Sequence, residues 1–276
     1  MKNASLSRLA AVVASAAMLA ACAVDSATVV PATPPTGAPS LSRAEIDAIV
    51  ASPDRSDADR RTDERRMSAE MLAFIGIRPG MVVLDLSAGG GYTTELLARA
   101  VGPTGAAYGQ SRPPPPSPAT VASSAPPRRT TAMALAERAK KPAAANIVAV
   151  VQPFENPAPA GRATAGLDVV TLMFNYHDLT YLPVDRAAMN AAVFRALKLG
   201  GVYVVADHSG RPGTGISEAS TLHRIEESFL RREVEAAGFR LAAEGMFLRN
   251  PADPRDREEP EPAMPKDEFV LRFVKP

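Results

Sequence analysis

The chain has 276 residues, of which 46% are hydrophobic, and its 31 Lys and Arg residues nearly balance its 30 Asp and Glu residues. This length and hydrophobic content suffice for one large domain with a full core. The charges are scattered along the chain, and Trp is absent. A basic face and an aromatic stacking platform are therefore not evident, which argues against a nucleic-acid-binding protein.

The N-terminus has the pattern of a bacterial signal peptide. Lys2 and Arg8 precede or flank an apolar run at 9–21 that is too short to span a bilayer. The run ends in Leu-Ala-Ala before Cys22, which resembles the lipobox of bacterial lipoproteins. The resemblance implies removal of residues 1–21 and lipidation of Cys22. We therefore expect a protein of the cell envelope, lipid-anchored on the periplasmic side of a bacterial membrane; the alternative is an Ala-rich tail with a chance cysteine.

A tether and a pair of helices are predicted to follow. Residues 22–40 are small, polar and Pro-rich, which is typical of a flexible lipidated tether. Residues 41–80 are predicted to contain the N-terminal helices. One of these helices is expected at 42–50, where Ser-x-x-Glu forms a plausible capping box, and the other at 67–75.

The segment between these two helices, 52–66, is rich in charges of both signs. Such a pattern predicts a solvated helix face. In the alternative interpretation, Arg55, Asp59, Asp63 and Arg66 lie over the edge of a ligand site.

From residue 81 to the C-terminus the apolar pattern alternates between strands and helices. Strands are predicted at 81–86, 106–110, 146–151, 167–174 and 201–207, and helices at 92–101, 130–141, 184–198 and 219–237. This alternation indicates a parallel sheet covered on both faces. Two further strands, 240–248 and 268–274, flank a charged, Pro-rich loop. The low-complexity segment 111–128 is predicted to be a surface loop, and the alternative is a proline-rich ligand of an adaptor domain.

The first predicted strand of this domain is followed by an acid, several glycines and a helix. Asp85 stands near the strand end, and glycines occupy 89–91. Glycines allow a ligand to approach the backbone closely, and the first amides of the helix point at the turn. The dinucleotide spacing G-x-G-x-x-G fails, because Ser87 and Tyr92 fall on glycine positions. The stretch therefore predicts a nucleotide-type site other than a dinucleotide site.

The same stretch resembles the first motif of the class I S-adenosylmethionine-dependent methyltransferases, D-x-G-x-G-x-G. Asp85, Gly89 and Gly91 are in place, and Ser87 stands where that family usually has its first glycine. The resemblance extends over residues 67–276. It implies a Rossmann-like α/β fold, with a mostly parallel sheet of about seven strands, helices on both faces and one antiparallel C-terminal strand. It also implies S-adenosylmethionine as the cofactor.

The resemblance further implies which strand ends hold that cofactor. The glycine-rich turn would hold the methionine portion, and Gln110 stands where the family usually has an acid bound to the ribose hydroxyls. Phe154 falls where adenine is contacted, although it would serve equally as a core aromatic. The predicted cofactor-binding residues are Asp85, Ser87, Gly89, Gly91, Gln110, Phe154 and Asn175.

Two histidines, each beside an aspartate, fall at strand ends that are predicted to be neighbours. His177 and Asp178 follow the fourth strand, and Asp207 and His208 end the fifth. Ligands bind beyond the carboxyl ends of such strands, so we expect these four residues to be catalytic, deprotonating or orienting a methyl acceptor. Structural histidines are the alternative. The same four residues offer mixed metal ligands, but no H-x-x-x-H or H-E-x-x-H spacing supports a metal, and none is expected.

The third histidine, His223, falls on the predicted amphipathic helix 219–237, as a lid residue or a packed one. Taken together, the sequence predicts a lipid-anchored, S-adenosylmethionine-dependent methyltransferase with a small-molecule acceptor and no nucleic-acid partner. The alternative is a non-catalytic or repurposed ligand-binding lipoprotein that retains the fold. It is favoured by Ser87 and Gln110, which depart from the motif, and by the lipobox, which directs the chain away from a cytoplasmic cofactor.

Overall fold

The computed structural model describes Met1, residues 39–114 and residues 129–276. The predicted signal peptide, Cys22, nearly all of the tether and most of the Pro-rich loop lie outside the described residues. Within the described ranges, no helix is both long enough and apolar enough to cross a membrane.

Three helices precede the first strand, and strands and helices then alternate. The helices are α1 (Arg43–Val50), α2 (Asp57–Arg66), α3 (Ser68–Ile75), α4 (Tyr92–Val101), α5 (Thr131–Arg138), α6 (Arg186–Ala196), α7 (Ala219–Leu222) and α8 (Glu227–Ala236). The strands are β1 (Val82–Leu86), β2 (Ala106–Ser111), β3 (Ile147–Val151), β4 (Leu167–Met173), β5 (Leu197–His208), β6 (Arg240–Gly245) and β7 (Glu268–Val274). The predicted alternation is confirmed. β5 begins directly where α6 ends, so α6 ends two residues before the end of the predicted helix 184–198.

The seven strands form one sheet in the order β3-β2-β1-β4-β5-β7-β6. The pairings from β3 across to β5 are parallel, whereas β7 is antiparallel to both β5 and β6. This is the predicted Rossmann-like methyltransferase fold. The chain leaves β1 toward β2 on one side, and β4 pairs with β1 on the other, so the strand order reverses at the carboxyl end of β1. Open α/β sheets bind their ligands at this point.

Both faces of the sheet are buried, because successive side chains of a strand point to opposite faces. Leu84 and Leu86 of β1 pack in a core that includes residues of α6 and α8. Val83, the neighbour that precedes Leu84, points to the opposite face and packs in a second core that includes residues of α1, α3 and α4. The glycine-rich turn after β1 is thus fixed by a strand that is held from two sides.

The helix predicted at 219–237 is interrupted in its middle. It is divided into α7 and α8, and His223 ends α7 in a left-handed conformation with φ of 51°. The amide of Ile225 then donates to the carbonyl of the last residue of β5 (3.0 Å). Arg224, between these two residues, is fully buried. A buried arginine looks like a solvent-facing position in a helical pattern, so the sequence did not indicate the break.

The prediction that 52–66 forms a solvated helix face is also wrong for the side chains that face the domain. Most of the segment forms α2, which packs against the domain with Arg55 and Asp59 buried. Arg55 pairs with Asp63 at 2.6 Å, and Asp59 pairs with Arg138 at 2.9 Å. Asp59 and Asp63 of α2 are therefore paired within the protein, and the helix ends beside the glycine-rich turn.

Candidate functional site

The glycine-rich turn connects β1 to α4 in a left-handed backbone conformation. Ser87, Gly89 and Gly91 have φ values of 54°, 53° and 77°. Ser87 thus adopts the backbone conformation for which a glycine is best suited, at the position where the family motif has one. A Cβ atom on Gly91 would lie 2.7 Å from a methyl of Leu135 and 2.9 Å from Cδ of Arg138. Gly91 is therefore required both by the backbone and by α5.

Asp85 supports this turn from inside the sheet. It is 2% exposed, and its two carboxylate oxygens accept hydrogen bonds from Thr94 Oγ1 (2.6 Å) and Thr171 Oγ1 (2.9 Å). Burial raises the pKa of Asp85 to about 6, and the two hydroxyls only partly oppose this shift. Asp85 therefore joins β1 to α4 and to β4 at the floor of the site.

The side chain of Gln110 ties the turn to the ends of β2 and β3. It is fully buried, its Oε1 accepts from the amide of Ser87 (3.0 Å), and its Nε2 donates to the carbonyl of Gln152 (2.7 Å). A carboxylate cannot donate a hydrogen bond to a carbonyl oxygen. The contact with Gln152 thus gives a physical reason for an amide where the family motif has an acid.

Two cavities open beside the turn at the carboxyl edge of the sheet. The smaller, of about 290 Å³, lies over the turn and includes Arg66, Asp85, Phe174 and Asn175 among its lining residues. The larger, of about 560 Å³, is lined in part by Gln110, Phe154, Asp178 and His223. Ser87, Gly89 and Asn175 line both cavities. The predicted cofactor-binding residues other than Gly91 thus meet at these two cavities, and Phe154 also belongs to the core.

Arg66, the last residue of α2, is a cation beside the turn that the sequence did not favour as a site residue. Its guanidinium lies 4.5 Å from the ring centroid of Phe174 and 5.5 Å from that of Tyr92. Burial, followed by the charge of Arg65, lowers the pKa of Arg66. Among the described residues it forms no salt bridge with an acid, and its Nε has no hydrogen-bond partner. The only feature of the sequence that pointed to Arg66 was its position in the charged segment 52–66.

A buried ionic cluster holds α2, α4 and α5 together around the turn. Glu95 of α4 is fully buried and lies 2.5 Å from Arg138 and 2.9 Å from Lys141. Burial opposes its ionisation, but the surrounding cations outweigh it and lower the pKa of Glu95. Arg138 also pairs with Asp59 and donates from Nε to the carbonyl of Gly90 (2.6 Å). One arginine therefore connects both neighbouring helices to the glycine-rich turn.

The four predicted catalytic residues meet at the ends of β4 and β5, as the sequence indicated. Asp207, fully buried, accepts from His177 Nδ1 (2.6 Å) and from the amides of His177 (2.7 Å) and His208 (2.9 Å). Asp178 Oδ1 lies 3.2 Å from Nε2 of His177. Burial opposes the charged imidazolium, but the hydrogen bond and charge of Asp207, together with Asp178, raise the pKa of His177.

His223 joins this cluster, although the sequence placed it within a continuous helix. Its ring centroid lies 5.4 Å from that of His177, which lies 5.5 Å from that of His208. The three histidines of the chain are therefore neighbours. The break between α7 and α8 brings His223 there, and no local pattern predicts that break.

A third cavity, of about 710 Å³, lies on the other side of His208. Glu268 Oε1 is 2.8 Å from Nδ1 of His208, and both residues line this cavity. The remaining lining residues come from the end of α2 and from the segment between β6 and β7, and they are Glu64, Arg65, Met67, Phe247, Leu248, Arg249, Asn250, Glu259, Met264, Pro265 and Lys266. The cavity is thus lined by acidic, basic and apolar side chains. His208 lies between this cavity and His177.

Comparisons with known proteins found one family model that matches part of the chain and several structures with a similar fold. Residues 45–113 match the model of the protein-L-isoaspartate(D-aspartate) O-methyltransferase (PCMT) family. A proposed sarcosine dimethylglycine methyltransferase from Galdieria sulphuraria is similar in structure, with a TM-score of 0.54 and 14% identity over 86% of this chain and 92% of that chain. The 4+2 cyclase SpnF gives a TM-score of 0.52 and 15% identity over 76% of this chain and 82% of that chain. A search of curated proteins found no similar sequence.

These comparisons establish the fold, which is that of the class I S-adenosylmethionine-dependent methyltransferases. SpnF is a cyclase, so the fold alone does not determine the reaction. The reaction depends on the residues of the site.

Proposed function

We propose that this protein, whose chain has the class I methyltransferase fold, binds S-adenosylmethionine and transfers its methyl group to a small-molecule acceptor. One observation carries the proposal: the partly buried guanidinium of Arg66 lines the cavity over a left-handed glycine-rich turn and has no acidic partner among the described residues. A cavity that combines such a turn with an arginine suits a ligand that carries a carboxylate. The methionine portion of S-adenosylmethionine carries one.

The proposed cofactor-binding residues divide between the two cavities, which share three lining residues. In this proposal Arg66 binds the carboxylate of the methionine portion over the turn, and the larger cavity receives the adenosine portion. Phe154 lines that larger cavity as a flat apolar surface for a purine ring. Gln110 lines it as well, but its polar groups hold the turn and β3, so its role is to position the turn.

The acceptor belongs in the cavity of about 710 Å³ beside His208. S-adenosylmethionine supplies an electrophilic methyl group, and the protein has to align a nucleophile with it and accept a proton where the acceptor carries one. His208 lines the acceptor cavity and lies next to His177, whose Nε2 is 3.2 Å from Asp178 of the larger cofactor cavity. In this proposal His208 orients or deprotonates the acceptor. A wall with mixed charges and apolar residues fits a small amphipathic molecule better than a polyanion.

Calorimetric titration of the purified full-length protein with S-adenosylmethionine tests the proposal. We expect binding at one site, weakened about 10- to 100-fold by Arg66→Ala, because a hydrogen-bonded charge pair contributes about 1.5–3 kcal/mol. Arg61→Ala is the matched control, since Arg61 lies on the same helix and is exposed. Absence of binding at millimolar ligand, or equal binding by the Arg66→Ala and wild-type proteins, would contradict the proposal.

A second candidate function is binding without methyl transfer. It is favoured by Gln110, because the oxygen and the nitrogen of its amide are both hydrogen-bonded within the protein. The amide also lacks the negative charge with which an acid would bind the ribose hydroxyls. A protein of this kind would bind S-adenosylmethionine or another nucleoside and release it unchanged. Incubation with labelled S-adenosylmethionine and a mixture of small nucleophiles separates the two candidates, since only a methyltransferase releases S-adenosylhomocysteine.

We also propose that the protein is lipidated at Cys22 and held at the cell envelope. The support is the sequence pattern of 1–22, which lies outside the described part of the fold. Labelling of expressing cells with a palmitate analogue should mark the wild-type chain and leave Cys22→Ser unmarked. Equal labelling of the two proteins, or recovery of wild-type protein free of membranes, would contradict this proposal.

A further inference from the structure

We propose that His177, Asp178 and His223 form a binding site for a divalent transition-metal ion. Each residue offers one ligand atom, and the three atoms lie within 4.8 Å of one another. His177 and Asp178 follow β4, whereas His223 ends α7, so the tertiary fold brings them together. This set differs from the four residues considered from sequence, because His223 takes the place of His208 and Asp207.

The orientation of the His177 ring favours a cation beside its Nε2 atom. Asp207 accepts from Nδ1 at 2.6 Å, which places the proton of a neutral imidazole on Nδ1 and leaves a lone pair on Nε2. Nε2 lies 3.2 Å from Oδ1 of Asp178, which is also an acceptor. Two acceptors that face each other at this distance repel unless a cation or a proton lies between them. A metal ion satisfies both, and a proton on Nε2 is the competing explanation.

The spacing of the three ligand atoms is close to that of a tetrahedral site. Nitrogen and oxygen ligands at about 2.0–2.1 Å from a tetrahedral ion lie about 3.3 Å from one another. The distances from Asp178 Oδ1 are 3.2 Å to His177 Nε2 and 3.4 Å to His223 Nδ1. The ligand nitrogens of His177 and His223 are within 4.8 Å of each other, which is longer than the tetrahedral spacing allows. The ring of His223 is half-exposed, so it has room to move toward His177.

The groups that surround the three ligands also suit a metal site. Histidine ligands commonly donate their second N–H to a carboxylate, as His177 does to Asp207, and carboxylate ligands are themselves hydrogen-bonded. Asp178 accepts from Asn175 Nδ2 (2.5 Å) and from the hydroxyl of Tyr181. In the described part of the chain, the ion pairs of Asp178 involve histidines alone and no Lys or Arg. The negative charge of the cluster is thus not matched by a permanent cation.

The chemistry of the ligands indicates the class of ion. Two imidazole nitrogens and one carboxylate oxygen, with open positions toward the cavity, suit Zn²⁺, Co²⁺, Mn²⁺ or Fe²⁺ better than Mg²⁺ or Ca²⁺. Asp178 and His223 line the cavity of about 560 Å³, so the open positions face that space. The ion site does not depend on the proposed function. Only the use of the ion to hold an acceptor oxygen would rest on it.

Metal binding is measured directly, without S-adenosylmethionine and without turnover. Full-length protein carrying Cys22→Ser and no polyhistidine tag is stripped with a chelator and titrated with Zn²⁺ by calorimetry. We expect one Zn²⁺ per chain, with the affinity reduced more than about 100-fold in His223→Ala. His223 is half-exposed, so this variant should fold, and thermal unfolding verifies it. His208→Ala is the matched control, and we expect it to bind Zn²⁺ like the parent.

Cobalt provides a second readout. Co²⁺ in the parent protein should give the visible absorption of a four- or five-coordinate ion, and this absorption should be lost in Asp178→Asn. Failure to bind Zn²⁺ at one equivalent, or equal affinity in the parent and His223→Ala proteins, would overturn the metal site and assign a proton to His177 Nε2. Binding of S-adenosylmethionine is titrated separately, so either proposal can fail while the other stands.

Discussion

The two halves of the site hold their buried charges in different ways. Around the glycine-rich turn, the buried acids Asp59 and Glu95 are matched by permanent cations, Glu95 by both Arg138 and Lys141. At the ends of β4 and β5, the acids Asp178 and Asp207 are paired only with histidines among the described residues. Permanent pairs fix a geometry, whereas a histidine pair can exchange a proton or an ion. The first half is therefore built as a scaffold, and the second as the place where chemistry occurs.

The largest effect should come from removing the centre of the scaffold. Glu95→Ala leaves Arg138 and Lys141 without their buried partner, and breaking a buried ion pair costs about 3–5 kcal/mol. We expect the free energy of unfolding in urea to fall by about that amount. Glu137→Ala is the matched control, because its pair with Lys140 is exposed and is expected to contribute less than about 1 kcal/mol. Similar losses in the two variants would mean that the cluster does not act as a scaffold.

A second prediction concerns Asp85, the acid in the scaffold half that lacks a salt bridge. Its carboxylate faces Thr94 of α4 and Thr171 of β4, with Arg66 of α2 as the nearby charge. Its pKa is about 6 in the fold and 3.8 ordinarily, so the folded state binds more protons between these values. The contribution of Asp85 to stability therefore falls as pH rises through this window.

Asp85→Asn removes this dependence while keeping the shape of the side chain. We expect the stability of Asp85→Asn relative to wild type to increase by about 2–3 kcal/mol between pH 4 and pH 7. Urea unfolding of both proteins across this range, without ligand, measures it. A relative stability that is constant with pH, or that falls, would show that the buried carboxyl is not destabilised when ionised.

The glycine-rich turn gives the next effect. Gly91→Ala should lower the free energy of unfolding by about 1–3 kcal/mol, because φ is positive and the new Cβ meets Leu135. Gly90→Ala is the control in the same turn, since a Cβ there has no atom within 4 Å. Binding of S-adenosylmethionine should be weakened only in the Gly91 variant. Equal stability and binding in the two variants would indicate that α5 does not support the turn.

The smallest effect on stability is expected in the chemical half. His223→Ala removes a half-exposed side chain without a permanent salt bridge, so the free energy of unfolding should change by less than about 1 kcal/mol. Thermal unfolding of the metal-free protein measures this. A loss comparable to that of Glu95→Ala would make His223 a structural residue and remove the contrast between the two halves.

The features that the sequence predicted correctly are those that depend on residues close together along the chain. The apolar strands, the turn after β1 and the strand ends that carry His177 and His208 follow from local periodicity and from the rules of parallel sheets. The failures depend on residues far apart in sequence. Arg138 meets Asp59 of α2 across 79 positions, so the partner that buries this charge was not visible locally.

The role of Gln110 depends in the same way on a distant contact. Its donor binds the carbonyl of Gln152, 42 positions away, and this contact excludes a carboxylate. His223 reaches the cluster because the chain pairs with β5 and interrupts a helix that its amphipathic pattern favours. Such tertiary contacts override local propensity, and periodicity does not contain them.

A crystal structure of the full-length protein with S-adenosylhomocysteine tests the central claim most directly. We predict that the ligand carboxylate lies within hydrogen-bond distance of Arg66 and that its adenine lies in the cavity beside Phe154. A structure in which the ligand is absent at millimolar concentration, or is bound away from the glycine-rich turn, would contradict it.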